Sequence, residues 1–244
     1  MTYDKFSRFY DLIMGDRSDA ARYVTDLILR YHPKTKTVLE IACGTGSILG
    51  RLSESYDVTG LDRSRAMLAI ARKKLPHVRF FRQDITRFRI APRFDAIICV
   101  FDSINHLLRP ADWWKVFYRV ARHLNEDGLF IFDVNSSGKL HRLAAGPAWK
   151  KWLGRDLAII RVNALRGRRF EWDVKVFEHQ TRAHYKLLHE KIEEIALPKR
   201  QILKSLRRHF RQVEALDPFG FRASDQSERL YFVGKARRPN RRGK

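Results

Sequence analysis

The chain has 244 residues, 44% of them hydrophobic and 12% aromatic, which is enough to bury one full core and too apolar for a disordered protein. Its net charge is +22, from 49 Lys+Arg against 27 Asp+Glu, a field that draws anionic partners without naming one. No stretch approaches membrane-spanning length, and the start MTYDKFSRFYDLIMGD lacks the apolar run of a signal peptide, so a cytoplasmic protein without a transmembrane segment is expected.

In chain order, helical and strand patterns alternate. SDAARYVTDLILRYH (18–32) sets Ala21, Val24, Leu27, Ile28 and Tyr31 at helical spacing, with Ser18 as the expected N-cap and Pro33 as the stop. TVLEIAC reads as a buried strand, SILGRLSES as a helix opening on a glycine turn, and DVTGLD as a second strand. RSRAMLAIARKKLP is a helix, VRFFRQD and FDAIICV are strands three and four, and PADWWKVFYRVARHLN is a helix leading into a fifth strand, LFIFDVN. Strands separated by helices predict a parallel sheet covered on both faces. The two cysteines, Cys43 and Cys99, each sit in an apolar strand-like stretch, as reduced buried thiols do.

The pattern then changes. LAIIRVNAL (157–165), RRFEWDVKVFEHQ (168–180) and YKLLHEKIEEIAL (185–197) are β-rich and joined by short turns, which predicts an inserted antiparallel meander. PKRQILKSLRRHF follows as a helix with Ile202, Leu203, Leu206 and Phe210 on one face, and QVEALDPFGF and RLYFVGKA supply two last strands. The expected architecture is therefore α/β, a doubly wound, seven-stranded, mostly parallel sheet with an antiparallel insert. Residues 1–153 hold N-terminal helices and the α/β core, 154–197 a β lid or dimer surface, 198–236 the final helix and strands, and 237–244 a basic tail expected to be disordered.

VLEIACGTGSILG (38–50) raises the question of which ligand lies over the glycine turn. A dinucleotide fingerprint needs G-x-G-x-x-G, but Gly44 and Gly46 are followed by Leu49 at the third position. Glu40, at the end of the strand, would repel a pyrophosphate. It suits a ligand bringing an ammonium and a sulfonium, whose carboxylate the next helix's N–H groups would hold. Asp62 ends the second strand, where a carboxylate can accept ribose hydroxyls, and Asp84 follows the third, placed for an adenine amino group with the Ile85 N–H nearby. Three acids at the C-terminal ends of successive parallel strands face the crevice where ligands bind in such sheets.

These motifs, ExACGTG, LDxS with Met67 beyond it, and QD, resemble class I S-adenosylmethionine-dependent methyltransferases with their Rossmann-like fold, over residues 38–135. YDKFSRFYDLIMGD, VFDSINHL and the β insert resemble the small-molecule type, the amino-sugar N,N-dimethyltransferases and glycine N-methyltransferases. The resemblance implies S-adenosyl-L-methionine as cofactor, held by Tyr10, Glu40, Ala42, Gly44, Gly46, Asp62, Arg63, Met67, Asp84, Ile85, Val100 and Asp102. Tyr3 is the alternative to Tyr10 in closing over the cofactor. His106 is the implied catalytic base or acceptor-orienting residue, Asp102 and Asn105 are candidate orienters, and no metal is implied. The implied reaction is in-line methyl transfer to a nitrogen or oxygen of a small molecule, an anionic one being within the expectation.

Two departures stand out. The family's Gly-Lys-Asp-Tyr-like segment is Gly15, Asp16, Arg17, Ser18 here, and HEKIEEIAL lacks the Glu-x-His pair of the sugar-modifying branch. Within the insert, Phe170, Trp172 and Phe177, with nearby Trp149 and Trp152, are candidates for acceptor walls or plain packing, and Arg155, Arg161, Arg168 and Arg169 for an anion site. An RNA methyltransferase is the rival reading of the charge, opposed by DSIN where base-amine enzymes resemble D-P-P-Y. A cofactor-binding protein that docks on RNA or membrane without catalysis is the third.

Overall fold

The computed structural model describes residues 6–219 and 221–236, so Tyr3 and the 237–244 tail lie outside the described residues. Two helices open the chain, α1 (Tyr10–Met14) and α2 (Ser18–Tyr31). The sheet then begins with β1 (Thr37–Ile41), β2 (Asp57–Asp62), β3 (Arg79–Arg82), β4 (Phe94–Cys99) and β5 (Leu124–Asn135), with α3 (Ser47–Leu52), α4 (Arg65–Lys74) and α5 (Pro110–His123) between them. After α6 (Ser137–Ala145) come β6 (Trp149–Leu153), β7 (Asp156–Ala164), β8 (Arg169–Thr181) and β9 (His184–Ile195), then α7 (Lys199–Leu206), β10 (Phe210–Leu216) and β11 (Arg229–Ala236).

The main sheet has seven strands in the order β10-β11-β5-β4-β1-β2-β3. The pairs β1–β2, β1–β4, β2–β3 and β4–β5 are parallel, and β11 joins β5 antiparallel. It is the doubly wound, mostly parallel sheet that the alternation predicted. Alternate residues of its strands feed opposite faces. Ile97, Phe130 and Phe132 pack with Trp113 and Phe117 of α5, while Ile98, Leu129 and Ile131 pack with Val24 and Ile28 of α2 and Leu49 of α3. Parallel pairing brings the C-terminal ends of β1 to β4 to one edge, and the candidate acids with them.

The insert is a four-stranded antiparallel sheet, β6-β7-β8-β9. Its Ala158, Val174, Val176 and Ile192 pack against Phe6, Phe9 and Ile13 of the N-terminal segment, and Lys151 Nζ donates to the Leu12 carbonyl at 2.8 Å. The insert thus rests on α1 beside the sheet edge. Its first strand, WKKWL, falls in the stretch 149–153 that sequence reading assigned to the core, because two lysines hide its alternation.

Other local expectations shift. Ser18 is the first residue of α2 rather than its cap: its N–H and hydroxyl both donate to Asp16 Oδ1, at 3.0 and 2.7 Å. Helix α7 stops at Leu206, and Phe210 opens β10 instead of joining the helical face. Cys43 and Cys99 are both free and buried.

Gly138, near the start of α6, marks a close approach to the loop before β11. Its N–H donates to the Asp225 carbonyl at 2.8 Å, and an added Cβ would lie 2.8 Å from Gln226 Cα and 2.9 Å from that carbonyl oxygen. Backbone cannot yield as a side-chain tip can. Gly138→Ala should therefore cost about 1–3 kcal/mol as overpacking and lower the melting temperature, whereas Gly50→Ala, whose Cβ meets only Leu75 at 3.5 Å, should leave it unchanged or raise it.

Candidate active site

The turn after β1 runs through left-handed backbone at Ala42 (φ 57°), Gly44 (φ 54°) and Gly46 (φ 75°). At Gly44 nothing lies within 4 Å of where a Cβ would stand, so the turn leaves open space for a ligand to approach its backbone. Gly46 serves packing instead: its Cβ direction meets Leu75 and Ala71 of α4 at 3.2 and 3.4 Å.

A single cleft over this turn is lined by Tyr10, Ala42, Gly44, Asp62, Arg63, Met67, Asp84, Ile85 and His106 among the expected site residues. Ser64, Gln83, Phe101, Ser103 and Leu107 complete it, the last three from the VFDSINHL stretch after the fourth strand that was expected to line the pocket. Glu40, Gly46, Val100 and Asp102 are not brought to its wall. Val100 packs in the core on the α2 face, and Glu40 lies buried beneath the turn.

The acids divide by environment. Asp62 accepts from the Gly44 N–H at 2.8 Å with one oxygen and from the Ser64 N–H at 2.8 Å with the other, while burial pushes its pKa up against those bonds. Burial also acts on Asp84, but the Thr86 hydroxyl and N–H, at 2.7 and 2.8 Å, hold it below the usual range. Burial raises Glu40 well above the ordinary carboxyl value, with Arg17 opposing, and its Oε2 has no hydrogen-bond partner.

Arg17 lies in the Gly15-Asp16-Arg17-Ser18 segment that departs from the family's pattern. It is 7% exposed, its Cζ stands 3.5 Å from the centre of the Phe101 ring and 5.5 Å from that of Tyr10, and its Nη2 also has no partner. A buried carboxyl oxygen and a buried guanidinium nitrogen are thus both unpaired, and the two groups are electrostatically coupled. Asp11 was missed. Its Oδ1 accepts from the hydroxyls of Thr45 (2.6 Å) and Ser47 (2.9 Å), and Lys74 pairs with its other oxygen, so α1 is clamped onto the glycine turn. The hydroxyls opening α3 are thereby occupied by a residue of the chain itself.

The loop after β4 forms the opposite wall. Phe101 and Asp102 both have left-handed backbone, φ 59° and 50°, a conformation held here by tertiary bonds. Asp102 N–H donates to Asp133 Oδ1 at 2.9 Å, and Arg229 Nη2 donates to Asp102 Oδ1 at 2.9 Å while its Nη1 pairs with Asp133. Burial alone would raise Asp102, yet the guanidinium beside it holds it below the ordinary value. Asn105 is wholly buried and fully used: Nδ2 donates to the carbonyls of Asn135 (3.2 Å) and Ile195 (3.0 Å), and Oδ1 accepts from Asn135 N–H (3.3 Å). It staples β5 to β9, which corrects its expected role in orienting an acceptor.

His106 points its Nδ1 at the Glu193 carbonyl, 3.2 Å away. A carbonyl only accepts, so Nδ1 carries the hydrogen, and in the neutral ring Nε2 is then the basic nitrogen. Burial lowers the imidazole pKa despite Asp102 nearby, favouring that neutral form. Nε2 stands 3.9 Å from Glu194 Oε1, whose carboxyl burial and Asp102 push well up. Several of the insert's other candidates lie elsewhere. Phe170 packs with Leu140 and Val162, Trp152 is 62% exposed, Arg155 contacts His179, and Arg168 bonds Gln201.

Residues 38–128 match the model of a methyltransferase domain. The Bacillus subtilis protein YqeM, a methyltransferase by name, is 30% identical over 251 residues, with 95% of this chain and 96% of that protein covered. The chain belongs to the class I S-adenosylmethionine-dependent methyltransferases. A crystal structure of an S-adenosylmethionine-dependent methyltransferase from Clostridium acetobutylicum superimposes with TM-score 0.83 at 25% identity, over 97% of this chain and 99% of that one. The amino-sugar branch is represented by the Streptomyces fradiae dTDP-3-amino-3,6-dideoxy-alpha-D-glucopyranose N,N-dimethyltransferase, 36% identical over 53% of this chain. The chain spans 52% of that enzyme and 61% of a Geobacillus relative that is 35% identical over 59% of this chain. The residues present fit the methyltransferase cofactor: the unpaired Glu40 and Arg17 atoms suit an amino-acid end, and the open space at Gly44 suits close approach.

The Arg229 bridge yields a stability prediction. Arg229→Met would leave Asp102 and Asp133 buried without their cation, and breaking such a buried arrangement costs about 3–5 kcal/mol. Urea denaturation should show a loss of that order, with an intact fold at low denaturant.

Proposed function

We propose that the protein methylates a nitrogen or oxygen of a small molecule, using the cleft over the glycine turn. The observation that carries this reading is the unpaired Glu40 and Arg17 beneath a cleft that ends at His106. Glu40 would take the cofactor's ammonium and Arg17 its carboxylate, with Tyr10 closing over them. Asp62 would accept from the ribose hydroxyls, and Asp84 and Ile85 would meet the adenine. The cofactor, when bound, supplies a methyl group on a sulfonium, already activated for displacement.

What remains for the chain is alignment, exclusion of water and removal of a proton. Phe101 and Leu107 supply apolar walls beside His106. The His106 Nε2 lone pair is the group able to receive the acceptor's proton, with Glu193's carbonyl fixing the ring. Relatives that act on amino sugars support a small-molecule acceptor over RNA.

Labelled methyl groups from S-adenosylmethionine should move into the low-molecular-weight fraction of a cell extract and leave RNA unlabelled; label in RNA alone would refute this reading. His106→Ala should lower turnover by about 10²–10⁴-fold with S-adenosylhomocysteine affinity nearly unchanged. Because burial lowers the imidazole pKa, wild-type turnover should hold to below the usual histidine range and fall as pH drops through the shifted value. Asp62→Ala should do the converse, weakening S-adenosylhomocysteine binding at least tenfold, about 1.4 kcal/mol.

A further inference from the structure

One face of the insert sheet packs on the N-terminal segment through Ala158, Val174, Val176 and Ile192, so strand alternation turns their chain neighbours to the opposite, outer face. There the register sets Trp152 opposite Leu157, Leu157 opposite Phe177 and Phe177 opposite Leu187, one apolar row across all four strands. Trp152 is 62% exposed and Leu187 49%, and Tyr185, two positions before Leu187 on β9, is 44% exposed. Large apolar side chains gathered in water mark a surface that meets a partner.

Basic residues border the row on both sides. The next row on the same face is Lys150, Ile159, Lys175 and His189, and the turns on the other side, between β6 and β7 and between β8 and β9, carry Arg155 and Arg182. The neighbouring acids are engaged within the chain: Asp173 with His189 (2.9 Å) and Lys175 (3.6 Å), Asp156 with the His179 N–H (2.7 Å) and Glu178 with Arg8 (2.5 Å).

This arrangement selects among occupants by charge. A second copy meeting the face isologously would bring Lys150, Lys175 and Arg155 against their own counterparts. Single-stranded RNA suits the cations, but two of the four row positions are leucines, which give a base no ring to stack on. A bilayer with anionic headgroups matches both features. Trp and Tyr rings settle at the headgroup level, lysine and arginine lay their apolar stems on the surface with the charge at the lipid phosphates, and anionic lipid adds attraction.

We propose that the outer face of the insert docks the protein on an anionic membrane surface, with Trp152, Tyr185 and Leu187 entering the headgroup region and Lys150, Lys175 and Arg155 meeting lipid phosphates. The row stands away from the reacting groups: Phe177 is six positions along β8 from Glu171, the register partner of Glu193, or roughly 20 Å at the rise of a strand. Docking therefore leaves the cleft open. The proposal holds whatever the methyl acceptor is, and it gives part of the excess positive charge a local use.

Vesicle co-sedimentation of the full chain tests it, comparing vesicles of equal parts phosphatidylcholine and phosphatidylglycerol with phosphatidylcholine alone. Wild-type protein should bind the mixed vesicles, and pure phosphatidylcholine at least about tenfold more weakly. A net charge of +22 would bring the chain to an anionic surface by itself, so the deciding variant leaves charge untouched. Trp152→Ser/Leu187→Ser should bind the mixed vesicles at least about tenfold more weakly with unchanged S-adenosylhomocysteine affinity. As a check that does not depend on that variant's folding, lipids brominated on their acyl chains should quench wild-type tryptophan emission, and Trp152→Phe should reduce the quenching. Absence of binding to the mixed vesicles, equal binding by Trp152→Ser/Leu187→Ser, or quenching unchanged in Trp152→Phe would overturn the proposal. So would a dimer in analytical ultracentrifugation, or single-stranded RNA binding, that needs Trp152 and Leu187 and that mixed vesicles do not displace, since the face would then belong to a second copy or to RNA.

Discussion

Burial of the Glu40 carboxyl at the end of β1 is the constraint around which the site is organised. A carboxyl group 3% exposed, with one oxygen unpaired, is costly in an apolar interior. The cost is concentrated where the parallel sheet delivers the ends of its strands, beside the open backbone of Gly44 and opposite the unpaired nitrogen of Arg17. Structural reasons account for Asp62 and Asp84, which accept hydrogen bonds from their own turns. Glu40 Oε2 lacks such a partner, and a cationic group on a ligand relieves the penalty in a way that a pyrophosphate cannot.

The opposite wall of the cleft depends on a different device. Arg229, from the next-to-edge strand β11, holds Asp102 and Asp133 together, and Asn105 ties β5 to β9. These bonds maintain the left-handed backbone of Phe101 and Asp102 and so aim the loop that carries His106. The insert contributes through Glu193 and Glu194. It orients the imidazole by a backbone carbonyl and sets beside Nε2 a carboxyl whose pKa burial and Asp102 push up.

Much of this was legible in the sequence because it is local. The apolar runs of β1 and β4 and the glycine turn are each contained within a few residues, Glu40, Asp62 and Asp84 each stand at or just after the end of one short strand pattern, and the parallel pairing follows from strand–helix alternation. Arg17, Asp11 and Arg229 were not legible. Each acts on residues distant in sequence, as in the pairing of Asp11 with Thr45 and Lys74, and nothing in Gly15-Asp16-Arg17-Ser18 reveals that the arginine turns inward. Strand β6 was hidden by its lysines, and the role of Asn105 by its neighbours, since only the meeting of β5 and β9 shows that its amide is already committed.

The central claim is that the site suits a positively charged amino-acid ligand and rejects a diphosphate at the glycine turn. Titration calorimetry of the wild-type chain with S-adenosylmethionine and with NAD⁺, each followed by competition with S-adenosylhomocysteine, tests it most directly. One site for S-adenosylmethionine, displaced by S-adenosylhomocysteine, with no NAD⁺ heat that S-adenosylhomocysteine removes, is the expected result. Tight NAD⁺ binding at a site that S-adenosylmethionine does not enter would contradict it.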